Sequence, residues 1–171
     1  KASVVQDSLY TYAPEPLNRT VSLAAGDRKT ETVVYRATTG ALEVRVSGLP
    51  EGAAPAVKLD GAPLAFSGNT VVVPYLAPGA HSLTAENVSY RGYVYEPSPK
   101  STSLSISAGQ KSAATVSYTR LEGTVVVEVT GLPTGVAPSV VLTLPDGSTR
   151  SIATSGTTTF AGMPTGTYTV S

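Results

Sequence analysis

The chain says nearly the same thing twice: GLPEGAAP at residues 48–55 returns as GLPTGVAP at residues 131–138, 83 positions later. A repeat of this length is one structural unit repeated, and it limits the possible folds before any local pattern is read. The match runs well beyond the phrase. At the same spacing of 83, Tyr10 pairs with Tyr93, Tyr12 with Tyr95, Pro14 with Pro97, Gly26 with Gly109, Tyr35 with Tyr118 and Gly40 with Gly123. The other half of the unit recurs with a few insertions: GNTVVVPYLAPGAHSLT aligns with GTTTFAGMPTGTYTVS, placing Leu76 opposite Met163, Gly79 opposite Gly166 and His81 opposite Tyr168.

Within each unit the apolar residues alternate with polar ones, the period of a half-buried strand. Leu42, Val44 and Val46 share one face; Val125, Val127 and Val129 repeat it, and Ala114, Val116 and Tyr118 show it near the unit's end. No stretch sustains helical spacing. Turn residues punctuate the strands at GLPEG, DGAP, SGN, APG, EPSP and AGQ. Charged residues make up only 14% of the chain, while Ser and Thr supply about a quarter. That mixture suits strands with a neutral, hydroxyl-rich outer face. The reading is all-β: tandem antiparallel β-sandwiches of about seven strands per unit. In the complete unit the strands are expected near 41–47, 55–60, 63–67, 69–74, 80–88, 102–107 and 112–119. YRGYVYEPSP is expected to be an extended connection, because its prolines interrupt a ladder.

Lys plus Arg and Asp plus Glu each total 12, and no basic cluster offers a phosphate-neutralising footprint, so nucleic acid is not an expected partner. Apolar runs are short and broken by Pro and Gly, so no membrane span is expected. The absence of Cys removes disulfides and thiolate metal sites and leaves the redox compartment undetermined. A chain that starts at Lys1 without a signal-like segment reads as a mature or excised product.

The phrase VVVPYLAPGAHSLTA followed by YRGYVYEP resembles the strand, Leu, Pro-Gly, strand, aromatic signature of prealbumin-like immunoglobulin-type domains. These include the collagen-adhesin B-type and carboxypeptidase-regulatory-like repeats of bacterial surface proteins. The resemblance covers residues 40–120 and, in two pieces, the flanks. It implies an extracellular or cell-surface location. Some collagen-adhesin domains carry a Lys–Asn isopeptide bond between first and last strands. Here those strands read LEVRV and TVVVEV, SAATVSYT and KTETVVYR, without that pairing, so no such bond is expected.

Little chemistry is on offer. His81 is the only histidine and its counterpart is Tyr168, so it reads as a strand-surface residue rather than a base. Serines lack a partner to activate them. Asp60 in LDGAP and Asp146 in PDGS stand before Gly, where Asp builds a tight turn; a calcium site needs several converging oxygens. Nine Tyr and no Trp raise the possibility of a sugar-stacking surface, yet Tyr10, Tyr12 and Tyr35 recur as Tyr93, Tyr95 and Tyr118, which suits a recurring structural role better. Asn18 and Asn87 lie in glycosylation-type triplets. No cofactor, metal or catalytic residue is expected.

The repeat also divides the chain unevenly. Residues 40–120 form a complete unit, residues 1–36 match the C-terminal half of a unit, and residues 121–171 match the N-terminal half. Neither half is expected to bury two sheet faces alone. Closure of the two halves within one chain reads as strained, since linkers of about four residues reach only about 14 Å. Either the halves belong to a longer array, or residues 1–36 of one copy complete residues 121–171 of the next by strand addition, a head-to-tail contact that generates a filament unless it closes into a ring. In the second case Val21, Leu23, Val33 and Tyr35 are expected to bury against the neighbour's Val125, Val127, Val140 and Leu142. The leading functional expectation is a non-enzymatic structural element of an extracellular filament or surface array, its partners being copies of itself or further repeats. The alternative is an adhesin or carbohydrate-binding accessory module with a glycan or surface ligand.

Overall fold

A computed structural model describes residues 2–171. It is all-β, without a helix, and the chain divides into two compact units. The first takes in residues 2–47, 55–85 and 98–117. One of its sheets places strand Gly40–Ser47 between Thr70–Leu76, antiparallel, and the first part of Lys111–Val129, parallel. Another runs in the order Ser101–Ile106, Gly79–Ala85, Val57–Leu59, Ala62–Pro63, all antiparallel. Leu42, Val44, Val46 and Val116 from the first sheet and Val57, Leu59, Leu83, Ala85 and Ile106 from the second are buried. A three-stranded sheet of Val5–Gln6, Thr11–Glu15 and Val34–Ala37 completes the unit. Tyr75 holds this sheet's turn, its N–H donating to Leu9 O at 3.1 Å and its hydroxyl to Asp7 O at 2.6 Å.

The second unit takes in residues 48–54, 86–97 and 118–171. Residues 122–129 pair with Gly156–Pro164, while Val140–Thr143 lies between Thr149–Ile152 and Thr169–Val170. Val127, Leu142, Leu144, Ile152 and Met163 form a small core, with Val125, Val140, Phe160 and Tyr168 packed around it. Residues 121–171 thus bury more by themselves than the sequence leads one to expect. The reason is that both short sheets turn their alternate residues onto a common cluster.

Two details depart from the sequence reading. One strand pair, residues 111–117 with 41–47, is parallel rather than antiparallel. In addition, YRGYVYEPSP is not a mere connection: Tyr93–Ser98 is a strand, paired with Val88–Tyr90. Its pairing there uses residues 93–95, and Pro97 and Pro99 lie outside that register.

The pairings themselves recur. Val5 with Tyr12 and Gln6 with Thr11 have the register of Val88 with Tyr95 and Ser89 with Val94. Gly40 with Leu76, Leu42 with Val73 and Val44 with Val71 have the register of Gly123 with Met163, Val125 with Phe160 and Val127 with Thr158. Both ladders carry an irregularity just after the glycine. Leu59 faces Leu83 as Leu142 faces Val170.

Candidate assembly surface

Equivalent positions differ sharply in burial. Ile106 and Val116 are 2% and 1% exposed, whereas their counterparts Leu23 and Val33 are 64% and 46% exposed. Tyr118 is buried and Tyr35 is not; Leu83 is buried and Val170 is not. The cause is local. Ser101–Ile106 pairs with Gly79–Ala85, and residues 111–117 pair with 41–47. Their counterparts in residues 17–33 form no strand and run as two extended arms. The arms are joined by a turn in which the Asp27 N–H donates to Ala24 O at 3.1 Å, and are tied by Arg19 to Glu31 at 2.9 Å.

Of the contacts expected from sequence, Val21, Leu23 and Val33 are exposed along these arms, and Tyr35 is exposed just beyond them in strand Val34–Ala37. On the other side the expectation needs correction. Leu142 is 0% exposed and Val127 is buried, both covered by their own chain, and Val125 and Val140 are half-buried against the same core. The alternation that gave the strand its inner face also turned that face onto residues 140–163. Exposed instead on these strands are Val126 on the opposite face and Val170 at the end of the second sheet, and Leu132 and Val136 are exposed in the loop between. Sequence reading passed over Val126 and Val170, although the 83-residue ruler places Val126 opposite Glu43, and the match of His81 to Tyr168 places Val170 opposite Leu83.

Glycines give an independent sign. A methyl group on Gly40 would sit 2.4 Å from Ser107 O and 2.5 Å from the Ile106 side chain, so the close approach of that strand demands glycine. Gly123, its counterpart, has nothing within 4 Å.

Strand Gly40–Ser47 and its parallel neighbour are also joined by charge. Glu43 is 8% exposed yet ionised, because Lys111 Nζ donates to it at 2.6 Å and Arg45 Nε at 2.5 Å; these hydrogen bonds, Lys111 first, hold its carboxyl below the usual range. Lys111 is therefore committed to a carboxylate across the first and last strands.

A cleft of about 510 Å³ lies elsewhere in the second unit, beside residues 50–52. Tyr90, Tyr93 and Tyr95 line it together with Arg91 and Arg120. The Tyr90 hydroxyl donates to Glu51 O at 3.0 Å and that of Tyr93 to Gly162 O at 3.3 Å. Neither arginine was singled out from the sequence, because no short motif marks them.

His81 does more than occupy a strand surface. Its Nε2 donates to Ala77 O at 2.8 Å and its Nδ1 to Asp60 at 2.6 Å, while Asp60 accepts the Ser82 N–H at 2.8 Å. Two acceptors facing both ring nitrogens favour the imidazolium. The Ala77 carbonyl first and Asp60 second raise the His81 pKa, and the Ser82 N–H and His81 lower that of Asp60. The histidine's contribution to stability is therefore complete below its unfolded pKa and disappears as pH rises through the folded value. Asp60 contributes above its own unfolded pKa and fails only as pH falls through the lowered one. The urea midpoint is expected to drop as pH rises from below the ordinary histidine value through the raised one, and His81→Gln should flatten that slope. An unchanged slope in the variant would show that the pair is not the source.

Asp146 makes the turn expected of it, accepting the Ser148 N–H at 2.9 Å and its hydroxyl at 2.6 Å. Among the described residues no three His, Cys, Asp or Glu side chains converge as metal ligands, and no helix is long and apolar enough to cross a membrane. The chain matches no protein-family model and no curated protein sequence.

Proposed function

We propose that this chain is a non-enzymatic structural element of an extracellular bacterial filament or surface array, built from tandem immunoglobulin-like sandwiches of the prealbumin type. The arms at residues 17–35 of one copy complete the sandwich begun by residues 121–171 of another. One observation carries the reading: positions buried in residues 40–120 are exposed at their counterparts on both flanks, on the arms at Leu23 and Val33 and on the acceptor at Val170. Covering a Val or Leu side chain stabilises by roughly 1.5–3 kcal/mol, so three such positions left in water favour a partner that covers them. The empty approach to Gly123 supports the same partner, because the counterparts of Ile106 and Ser107 are Leu23 and Ala24 on the arm.

Transferred registers define the contact. Residues 18–23 add antiparallel to residues 166–171, with Leu23 opposite Gly166 and Val21 opposite Tyr168; residues 28–34 add parallel to 124–130, with Val33 beside Val129. Such an interface is heterologous, and each copy carries one donor and one acceptor.

Two charge variants test it. Leu23→Asp spoils the donor and Val170→Asp the acceptor, so neither alone should assemble at concentrations where the parent forms oligomers. Mixed together they should stop at a one-to-one dimer, because one intact donor meets one intact acceptor. Light scattering after size-exclusion chromatography distinguishes the outcomes. A parent that stays monomeric, or a mixture that stays monomeric, would overturn complementation between copies and leave the array to be joined covalently.

A further inference from the structure

The geometry points to the tyrosine–arginine cleft as a binding site for a carboxylate-bearing saccharide, a function separate from the assembly surface. The fold does not require its chemistry. Counted back by the repeat, Tyr93 and Tyr95 are matched by Tyr10 and Tyr12, but Tyr90, Arg91 and Arg120 are matched by Asp7, Ser8 and Ala37. Since Val5–Gln6 and Thr11–Glu15 adopt the same register as Val88–Tyr90 and residues 93–95, the strands form without those three side chains. A guanidinium pair and an extra aromatic ring have been added to a frame that stands without them.

The added groups converge. The Arg120 guanidinium carbon lies 4.6 Å from the Tyr93 ring centre, and that of Arg91 lies 5.3 Å from the centre of Tyr90. Arg120 is steadied from behind by Glu122, whose carboxylate accepts from Nε at 3.2 Å and from Nη2 at 3.0 Å. Tyr90 is pinned to the corner through Glu51 O. These contacts hold the lining in place before any ligand arrives, which reduces the ordering cost of binding.

What such a surface recognises follows from what it has left to offer. A cationic ligand is disfavoured, because the two tyrosine faces already carry guanidinium groups. A nucleic-acid strand needs a run of cations along its phosphates, and two arginines in a chain of zero net charge do not supply one. The Nε–Nη2 edge of Arg120 is taken by Glu122, so a ligand carboxylate falls to the exposed Arg91, whose flat guanidinium edge can give it two parallel N–H bonds. Tyr95, the lining ring over which no guanidinium sits, suits the apolar face of a sugar, and the Tyr90 and Tyr93 hydroxyl oxygens, already donating to Glu51 O and Gly162 O, can accept from its hydroxyls. A volume of about 510 Å³ lies within the range of small-molecule sites and takes a short oligosaccharide rather than a chain segment.

The probe is trigalacturonate, with neutral galactotriose as its control, titrated into the full chain and followed by calorimetry. Binding of the acidic trisaccharide with a dissociation constant of about 1 mM or tighter, and at least about tenfold weaker binding of the neutral one, is expected for a surface-exposed carboxylate clamp. Arg91→Ser, which installs the residue found at the counterpart position, should weaken the acidic sugar about tenfold or more without changing the urea midpoint, because Arg91 is exposed. Arg120→Ala should act in the same direction. No heat with trigalacturonate, equal affinity for both sugars, or unaltered affinity in Arg91→Ser would each overturn the proposal. None of these outcomes depends on the oligomeric state, so assembly and sugar binding succeed or fail separately.

Discussion

Replacing Gly48 with alanine is expected to cost about 2–5 kcal/mol, more than any other single methyl group added at the repeated corner. Two effects combine. Gly48 has φ of +81°, where a Cβ meets the following carbonyl at a cost of about 1–2 kcal/mol. A Cβ there would also stand 1.9 Å from the Tyr118 carbonyl oxygen, backbone belonging to a long strand and unable to swing aside. Overpacking of that kind adds roughly 1–3 kcal/mol. Gly131 has the same φ, +84°, but nothing within 4 Å, so Gly131→Ala should lose only the conformational share in the isolated chain. Urea unfolding at matched slope measures both. The pair is also diagnostic of assembly. The counterpart of Tyr118 is Tyr35, so in the assembled form a neighbour's Tyr35 carbonyl should arrive at Gly131. Gly131→Ala is then expected to leave the monomer nearly intact while raising the concentration needed for assembly. If Gly48→Ala and Gly131→Ala lose equal stability in the monomer, backbone conformation alone explains the glycine at this corner.

That contrast shows how much was legible beforehand. The all-β class and most strand positions were readable, because alternation and turn residues are local properties of the chain. The spacing of 83 says which segments correspond, but the registers they share came only with the structure, because no alternation pattern states which strands are neighbours. Pro97 and Pro99 misled, because a composition rule does not reveal which residues of Tyr93–Ser98 pair with Val88–Tyr90. Val21, Leu23, Val33 and Tyr35 are exposed, but Val127 and Leu142 are spent on their own core, and Val126 and Val170 take the exposed positions. Period two shows that two faces exist; which face a half-domain buries depends on what it can fold back upon itself. The cleft left no mark in the sequence, since Arg91 and Arg120 come together only through the pairing of distant strands.

The transferred register itself can be tested with thiols, because the chain has no Cys and any introduced pair is the only pair present. In the complete unit Ser105 faces Ala80, which places Ser22 of the arm opposite Thr167 of the acceptor. Directly opposed residues in an antiparallel pair have Cα atoms about 4.5–5.5 Å apart, within reach of a disulfide. Asn18 belongs opposite Ser171, four residues further along, so it lies roughly 13 Å from Thr167 and cannot be bridged to it. A chain carrying both Ser22→Cys and Thr167→Cys is therefore expected to give a ladder of covalent oligomers on mild oxidation, read on a non-reducing gel. The chain with Asn18→Cys and Thr167→Cys should give at least about tenfold less, since bridging falls away beyond about 7 Å between Cα atoms. The position of the product decides between geometries. Bands at multiples of the chain mass mean that each copy completes its neighbour, whereas a single oxidised monomer would mean that the two halves close upon each other within one chain. Equal ladders from both variants would show contact without register, and the sandwich would then not be what the arms complete.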